Sequence, residues 1–242
     1  MAAKKTAGKK TAQSAGPRRD RILDAALKVF VERGYEGTSM DGVADAAGVA
    51  RRTVYNQFPE GKESLFRMVV TRVWTGFPIV DITTDADAMA DPEVGLHRIG
   101  MAVAEFWAPP LAVGLLRMAI GEGPRFPDMI ESFFKGGKAP ALNAIVKYIR
   151  SFAKSGVLQI SDPELATHQF LGLINEPLLW HRVIGLGGTP KAADRKKTVE
   201  SAVKLFINYY RRACIGNDGV CASRCRTRDS RSHRALGHAR KA

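Results

Sequence analysis

Apolar residues along this chain recur at intervals of three and four, the pattern of helices that each bury one face. Ile22, Leu23, Ala26, Leu27, Phe30 and Val31 set the first such stripe from a start near Arg18, and Gly34 ends it. Thr38 and Ser39 offer N-cap oxygens to a short second helix running through Ala47, Gly48 breaks that helix, and a third is predicted over about 50–57. A fourth starts around Lys62 with Leu65, Phe66, Val69, Val70 and Val73 on its apolar face. The stretch DITTDADAMADPE then reads as a polar connector. Beyond it helices are predicted over about 93–107, 110–121, 127–155, 163–184 and 192–213, with Gly121–Pro127 and Gly185–Pro190 as loops. Almost nothing alternates with the two-residue period of a strand, so the predicted fold class is all-α.

Two short helices around a glycine turn form a helix-turn-helix, in which close crossing demands a small residue, a turn residue tolerant of positive φ and an apolar plug. Ala44, Gly48 and Val54 meet those demands. With Val54 facing inward, Arg51, Arg52, Thr53, Tyr55 and Asn56 include the outward positions. These side chains donate to phosphate or read base edges in a major groove. The larger remainder of the chain predicts a separate helical domain.

The run ILDAALKVFVERGYEGTSMDGVADAAGVARRTVYNQF, followed by GKESLF, resembles the N-terminal DNA-binding domain of the TetR family of bacterial repressors over roughly residues 20–68. The resemblance implies phosphate contacts from Thr53 and Tyr55, base edges nearest Arg51, Arg52 and Asn56, and phosphate held by Lys62 where the fourth helix begins. Thr38, Ser39 and Gln57 complete the expected DNA-binding set. Three departures stand out. Ala50 replaces the usual serine cap, Gln57 stands where an aromatic is common, and FPEGK is one residue longer than the family pattern. The expected organisation is a disordered basic arm (1–17), the helix-turn-helix domain (18–68), an effector-binding and dimerisation domain (69–213) and a disordered basic tail (214–242).

Charge changes this picture less than its size suggests. Of the formal net charge of +13, residues 1–21 supply +6 and residues 211–242 supply +7, while 22–210 hold equal numbers of acids and bases. Specific recognition therefore rests on local patterning, and the termini are suited to non-specific attraction to DNA. No apolar run follows the basic start or is long enough to span a bilayer, which predicts no membrane partner and a cytoplasmic protein. All three cysteines, Cys214, Cys221 and Cys225, lie at or in the polar tail. Zinc held by Cys221, Cys225, His233 and His238 is disfavoured by a seven-residue spacer and the lack of a finger core, so neither metal nor cofactor is expected.

In the C-terminal body, prolines and glycines from Pro109 to Pro140 interrupt aromatic-rich helices and leave room for a cavity. Trp74, Phe106, Trp107, Leu111, Leu115, Met118, Phe133, Tyr148 and Phe152 are the candidate contacts for a largely apolar small-molecule effector, with Arg117, Glu122 or Glu105 as a polar anchor. GEGPRFPDMIESFF and DPELATHQFLGLINEPLLW resemble the effector-binding half of multidrug-responsive, AcrR-like members of the same family. That implies an Ω-shaped homodimer on an inverted-repeat operator. Candidate dimer-facing residues are Ala166, Phe170, Leu173, Ile174 and Pro177, with Val199, Val203, Phe206 and Tyr210. No catalytic constellation emerges. A rival reading, an architectural DNA-binding protein without an effector, accounts for the basic termini but not for a large apolar second domain.

Overall fold

A computed structural model describes residues 15–211; the candidate zinc residues, and most of the predicted arm and tail, lie outside the described residues. The first helix, α1, spans Ala15–Arg33, so Ala15–Pro17 are helical rather than part of the arm. Pro17 is tolerated there because the amide it lacks would be unpaired in the first turn.

Helices α2 (Met40–Ala47), α3 (Arg51–Gln57) and α4 (Lys62–Thr75) complete the N-terminal unit. Ser39 caps α2 by accepting from the Gly42 amide, and Gly48 closes it at φ 62°, its own amide returning to the carbonyls of Ala44 and Asp45. Val54 and Phe58, one turn apart, are both buried against Ile22, Phe30, Val43, Leu65 and Phe66. The Phe30 and Tyr35 rings each meet Phe66 edge-on at 5.3 and 5.4 Å.

The stretch expected as a polar connector is instead two short helices, α5 (Ile79–Thr84) and α6 (Ala86–Ala90). Asp85 caps α6 and Asp91 caps the helix that follows it, whereas α5 has no side-chain cap. The Ala88 amide and then Arg98 hold the Asp85 carboxyl below its usual range. Ile79 and Ala88 are buried beneath these turns.

The body continues with α7 (Pro92–Phe106), α8 (Pro110–Glu122), α9 (Pro127–Phe133), α10 (Ala139–Lys154), α11 (Pro163–Asn175), α12 (His181–Val183) and α13 (Ala192–Tyr210). Wider π-helical turns at Phe134–Lys138 and Glu176–Trp180 join α9 to α10 and α11 to α12. The single long stretches predicted over 127–155 and 163–184 are therefore right in extent and interrupted in winding. The described residues hold no strand, only an isolated bridge between Leu158 and Arg211.

Two apolar clusters organise the molecule. One gathers α5–α7, α10, α11 and α13 around Leu96, Ile99, Ile145, Ile149, Phe170 and Phe206. The other is the core of α1–α4, and it extends into the C-terminal body through Leu115, Met118 and Ala119 of α8 and Met129 and Phe133 of α9. Trp74, near the end of α4, packs against both clusters. Among the described residues no single helix is long and apolar enough to cross a membrane.

Candidate DNA-binding face and effector cavity

Helix α3 has only seven residues, and burying Val54 and Phe58 fixes which way the others point. Arg51, Arg52, Tyr55 and Asn56 are exposed and Thr53 and Gln57 half-buried, so the helix presents one continuous polar face. Arg51 pairs with Asp41 at 3.0 Å, a solvent-exposed pair that costs little to exchange for DNA. Gln57 accepts a long hydrogen bond of 3.5 Å from Arg19, whose guanidinium lies 5.0 Å from the Phe58 ring centre. Ala50 gives α3 no side-chain cap.

Two members of the expected set are occupied elsewhere. Thr38 is buried, and its hydroxyl donates to the Gly34 carbonyl at 2.6 Å, so it shapes the turn rather than facing DNA. The Lys62 ammonium donates to the carbonyls of Tyr35 and Glu36 at 2.8 and 3.2 Å and lies 4.6 Å from the centre of the Tyr35 ring. Lys62 thus props α4 against the α1–α2 turn, with two of its three protons committed internally. Ser39 is exposed but spends its oxygen as the α2 cap. The extra residue in FPEGK is absorbed in a turn: the Gly61 amide returns to the Phe58 carbonyl at 3.0 Å, and α4 begins at Lys62.

The same α1–α2 turn is gripped from the other side by the C-terminal body. Glu122, the last residue of α8, accepts from the Tyr35 and Glu36 amides at 2.9 and 2.8 Å. It approaches because residue 34 is glycine, at φ 75°; a Cβ there would stand 2.1 Å from the carboxylate oxygen. Arg125 adds an ion pair to Glu36 at 2.7 Å. Sequence reasoning offered Glu122 only as a ligand anchor. Its partners are backbone amides almost ninety residues away, which no local pattern reveals.

A cavity of about 150 Å³ lies between the two clusters. Of the nine candidate contacts, Trp74, Phe106, Trp107 and Phe133 line it. Five expected residues do not. Leu115 and Met118 are buried in the N-terminal cluster, where the inward face of α8 meets α1–α4. Tyr148 and Phe152 pack with each other at 5.1 Å in the C-terminal core, and the Tyr148 hydroxyl donates to the Ala88 carbonyl at 2.7 Å. Burial pushes the Tyr148 pKa up from its ordinary value. Leu111, in the first turn of α8, is half-buried away from the cavity.

Residues that sequence reasoning missed supply the other walls, among them Phe77, Leu116, Ile145, Leu171 and Trp180, with Lys138 and Asn175 as the polar members. Trp74 and Phe106 lie 4.4 Å apart between ring centres, and Phe106 and Trp107 meet edge-on at 4.8 Å. The indole of Trp74 crosses Gly137 in the first π-helical turn so closely that a Cβ there would fall 2.2 Å from its nitrogen. That nitrogen is buried and has no hydrogen-bond partner among the described residues. Beyond Trp107, buried Arg182 donates to the Trp107 and Ala108 carbonyls, the latter at 3.0 Å. Arg117 donates to the Val183 carbonyl at 3.0 Å and to that of Arg182. Desolvation, and then the like charge of Arg117, lower the Arg182 pKa. Arg117 and Glu122 are therefore structural, and Glu105 does not line the cavity. No group of three or more potential metal ligands occurs among the described residues.

Comparison with known proteins matches both halves. Residues 22–69 fit the family described as bacterial regulatory proteins, tetR family, and residues 94–212 fit the C-terminal domain of AefR-like transcriptional repressors. The HTH-type transcriptional regulator SrpR of Pseudomonas putida is 42% identical over 172 residues, covering 69% of this chain and 76% of that protein. The repressor KstR of Mycobacterium tuberculosis is 27% identical over 194 residues, covering 78% of this chain and 80% of its own. Among solved structures, the flavonoid-responsive regulator FrrA superposes with a TM-score of 0.64 at 26% identity, over 82% of this chain and all of that one. All three carry the name of a regulator or repressor. The polar face of α3, the apolar plug behind it and the match of both halves have one reading: this chain is a DNA-binding transcriptional regulator of the TetR family.

Proposed function

We propose that this regulator represses transcription as a homodimer on an inverted-repeat operator, and that a small aromatic molecule entering the C-terminal cavity releases it. The observation that carries this reading is the position of Trp74. It lines the cavity and stands near one end of α4, while Lys62 at the other end props the turn before α2. The helix is 14 residues long, about 21 Å, and runs from the turn before α2 to the cavity. A ligand that displaces Trp74 or Phe133 disturbs a core shared with the recognition helix. Glu122 provides a second link, through the amides of the α1–α2 turn.

Release requires a ligand to favour a dimer geometry in which the two recognition helices no longer fit successive major grooves, about 34–36 Å apart. Shifting a population from mostly competent to mostly incompetent takes a differential affinity of about 10⁴ between the states. A cavity of about 150 Å³ is of the size that accepts a single benzene ring, so a bulkier effector has to move its walls, and moving Trp74 is how it acts on DNA. The flavonoid response of FrrA accords with an aromatic ligand in an aromatic-lined site.

The dimer surface in this reading differs from the one expected. Ala166, Phe170, Ile174, Val199, Val203 and Phe206 are all buried within the chain and are core, not interface. Leu173 of α11 and Pro177 of the π-helical turn after it on one side, and Leu205 and Tyr209 of α13 on the other, remain exposed. Selecting bound sites from random DNA with purified protein tests the assignment. An inverted repeat with protein bound as a dimer is expected, whereas protection without a discrete palindrome would favour the architectural alternative.

A further inference from the structure

The cavity is chemically lopsided. Thirteen of its fifteen lining residues are apolar, six of them aromatic, and its two polar members are Lys138 and Asn175. No acid lines it. The Lys138 side chain makes no ion pair or hydrogen bond among the described residues, although Lys135, three residues earlier, pairs with Glu131. The Asn175 amide is likewise without a side-chain partner among the described residues, and the buried Trp74 nitrogen is a further donor without an acceptor. Two more cations, Arg182 and Arg117, stand beyond Trp107 and outside the lining, held by backbone carbonyls. Among the described lining residues the polar groups are thus one ammonium and one carboxamide, and none is an acid.

Resting on the reading of this cavity as the effector site, we propose that its ligand is an aromatic carboxylate, with the ring among Trp74, Phe106 and Trp107 and the carboxylate on Lys138 and Asn175. Aromatic walls alone also suit a hydrophobic cation, which gains from ring faces. Here, however, a cation meets the Lys138 ammonium, with no carboxylate among the described lining residues to offset it. An anion finds a charge-assisted hydrogen bond at Lys138 and a neutral one at Asn175.

The test uses the chain's own chromophores, because all three of its tryptophans, Trp74, Trp107 and Trp180, line the cavity. Full-length protein is titrated with 4-ethylbenzoate, the neutral 4-ethylbenzamide and the cationic 4-ethylbenzylamine while tryptophan emission is followed. The acid is expected to bind about tenfold more tightly than either analogue. Lys138→Gln is expected to bring the acid down to the level of the amide while leaving the amide unchanged, and Lys138→Arg to keep the preference. Lys138 is exposed, so neither change threatens the fold. Tightest binding by the amine, or an acid affinity untouched by Lys138→Gln, would overturn the proposal. Equal binding of all three would remove it and leave the effector reading standing, whereas no change in emission with any of them would remove both.

Discussion

The recognition helix and the cavity wall are both built from amphipathic helices, yet they differ in how tightly the apolar pattern fixes the outcome. Helix α3 buries Val54, with Phe58 buried just past its end, so one narrow apolar stripe decides which side chains meet solvent. Helix α10 buries Ala141, Ile145, Val146, Tyr148, Ile149 and Phe152, a stripe wide enough to face two neighbours. Ile145 turns to the cavity and Tyr148, three residues on, to the Ala88 carbonyl beneath α6. A narrow stripe specifies a face; a wide one specifies only burial. Density differs too, since the N-terminal cluster closes around fully buried Phe30, Phe58 and Phe66 while the cavity leaves Trp74, Phe106 and Trp107 half-exposed.

Truncating one ring in each region gives the sharpest contrast in stability. Phe66→Ala is expected to cost about 3–5 kcal/mol in urea unfolding and to abolish operator binding, because nothing can collapse into the gap. Phe106→Ala, at a wall already facing space, is expected to cost about 1–2 kcal/mol and to spare DNA affinity. Equal costs would mean that the cavity is as densely packed as the N-terminal core.

On the DNA side, Arg52→Ala is expected to weaken operator binding by about 1–3 kcal/mol and to relax preference at one position per half-site. Tyr55→Phe is expected to weaken all sequences alike. Site selection with each variant checks both. On the cavity side, Gly137→Ala places a Cβ against the Trp74 indole and is expected to cost about 1–3 kcal/mol, shifting tryptophan emission and lowering effector affinity. Unchanged emission in that variant would show that the π-helical turn, and not the indole, yields.

The sequence carried the N-terminal unit nearly whole because its signals are local: Ser39 as cap, Gly48 as turn, Val54 as plug, all within sixteen residues. Helix extents in the C-terminal body were legible for the same reason, and the two short helices after Pro78 were missed because the Asp85 cap of the second and the burial of Ile79 and Ala88 outweigh a polar composition. What was not legible lies in contacts between distant segments. Thr38 and Lys62 look like donors to DNA until the Gly34, Tyr35 and Glu36 carbonyls are brought beside them. Leu115 and Met118 look like ligand contacts until α8 is seen to complete the core of the other domain. Lys138 and Asn175 carried no sequence signal at all, since a lone polar residue on an apolar helix usually faces water.

Smaller in energy, but most informative about how the two regions communicate, is the carboxylate of Glu122. Glu122→Gln keeps one acceptor for the Tyr35 and Glu36 amides and removes the charge, at an expected cost of about 1 kcal/mol in stability. Its larger effect is expected in coupling. The decisive measurement follows tryptophan emission and the anisotropy of a labelled operator in one titration with an aromatic ligand, for the unaltered protein and for this variant. The account predicts that in the unaltered protein the two signals change together with a shared midpoint, and that Glu122→Gln keeps the emission change while needing more ligand to release DNA. Emission that saturates while the operator stays bound to the unaltered protein would contradict it.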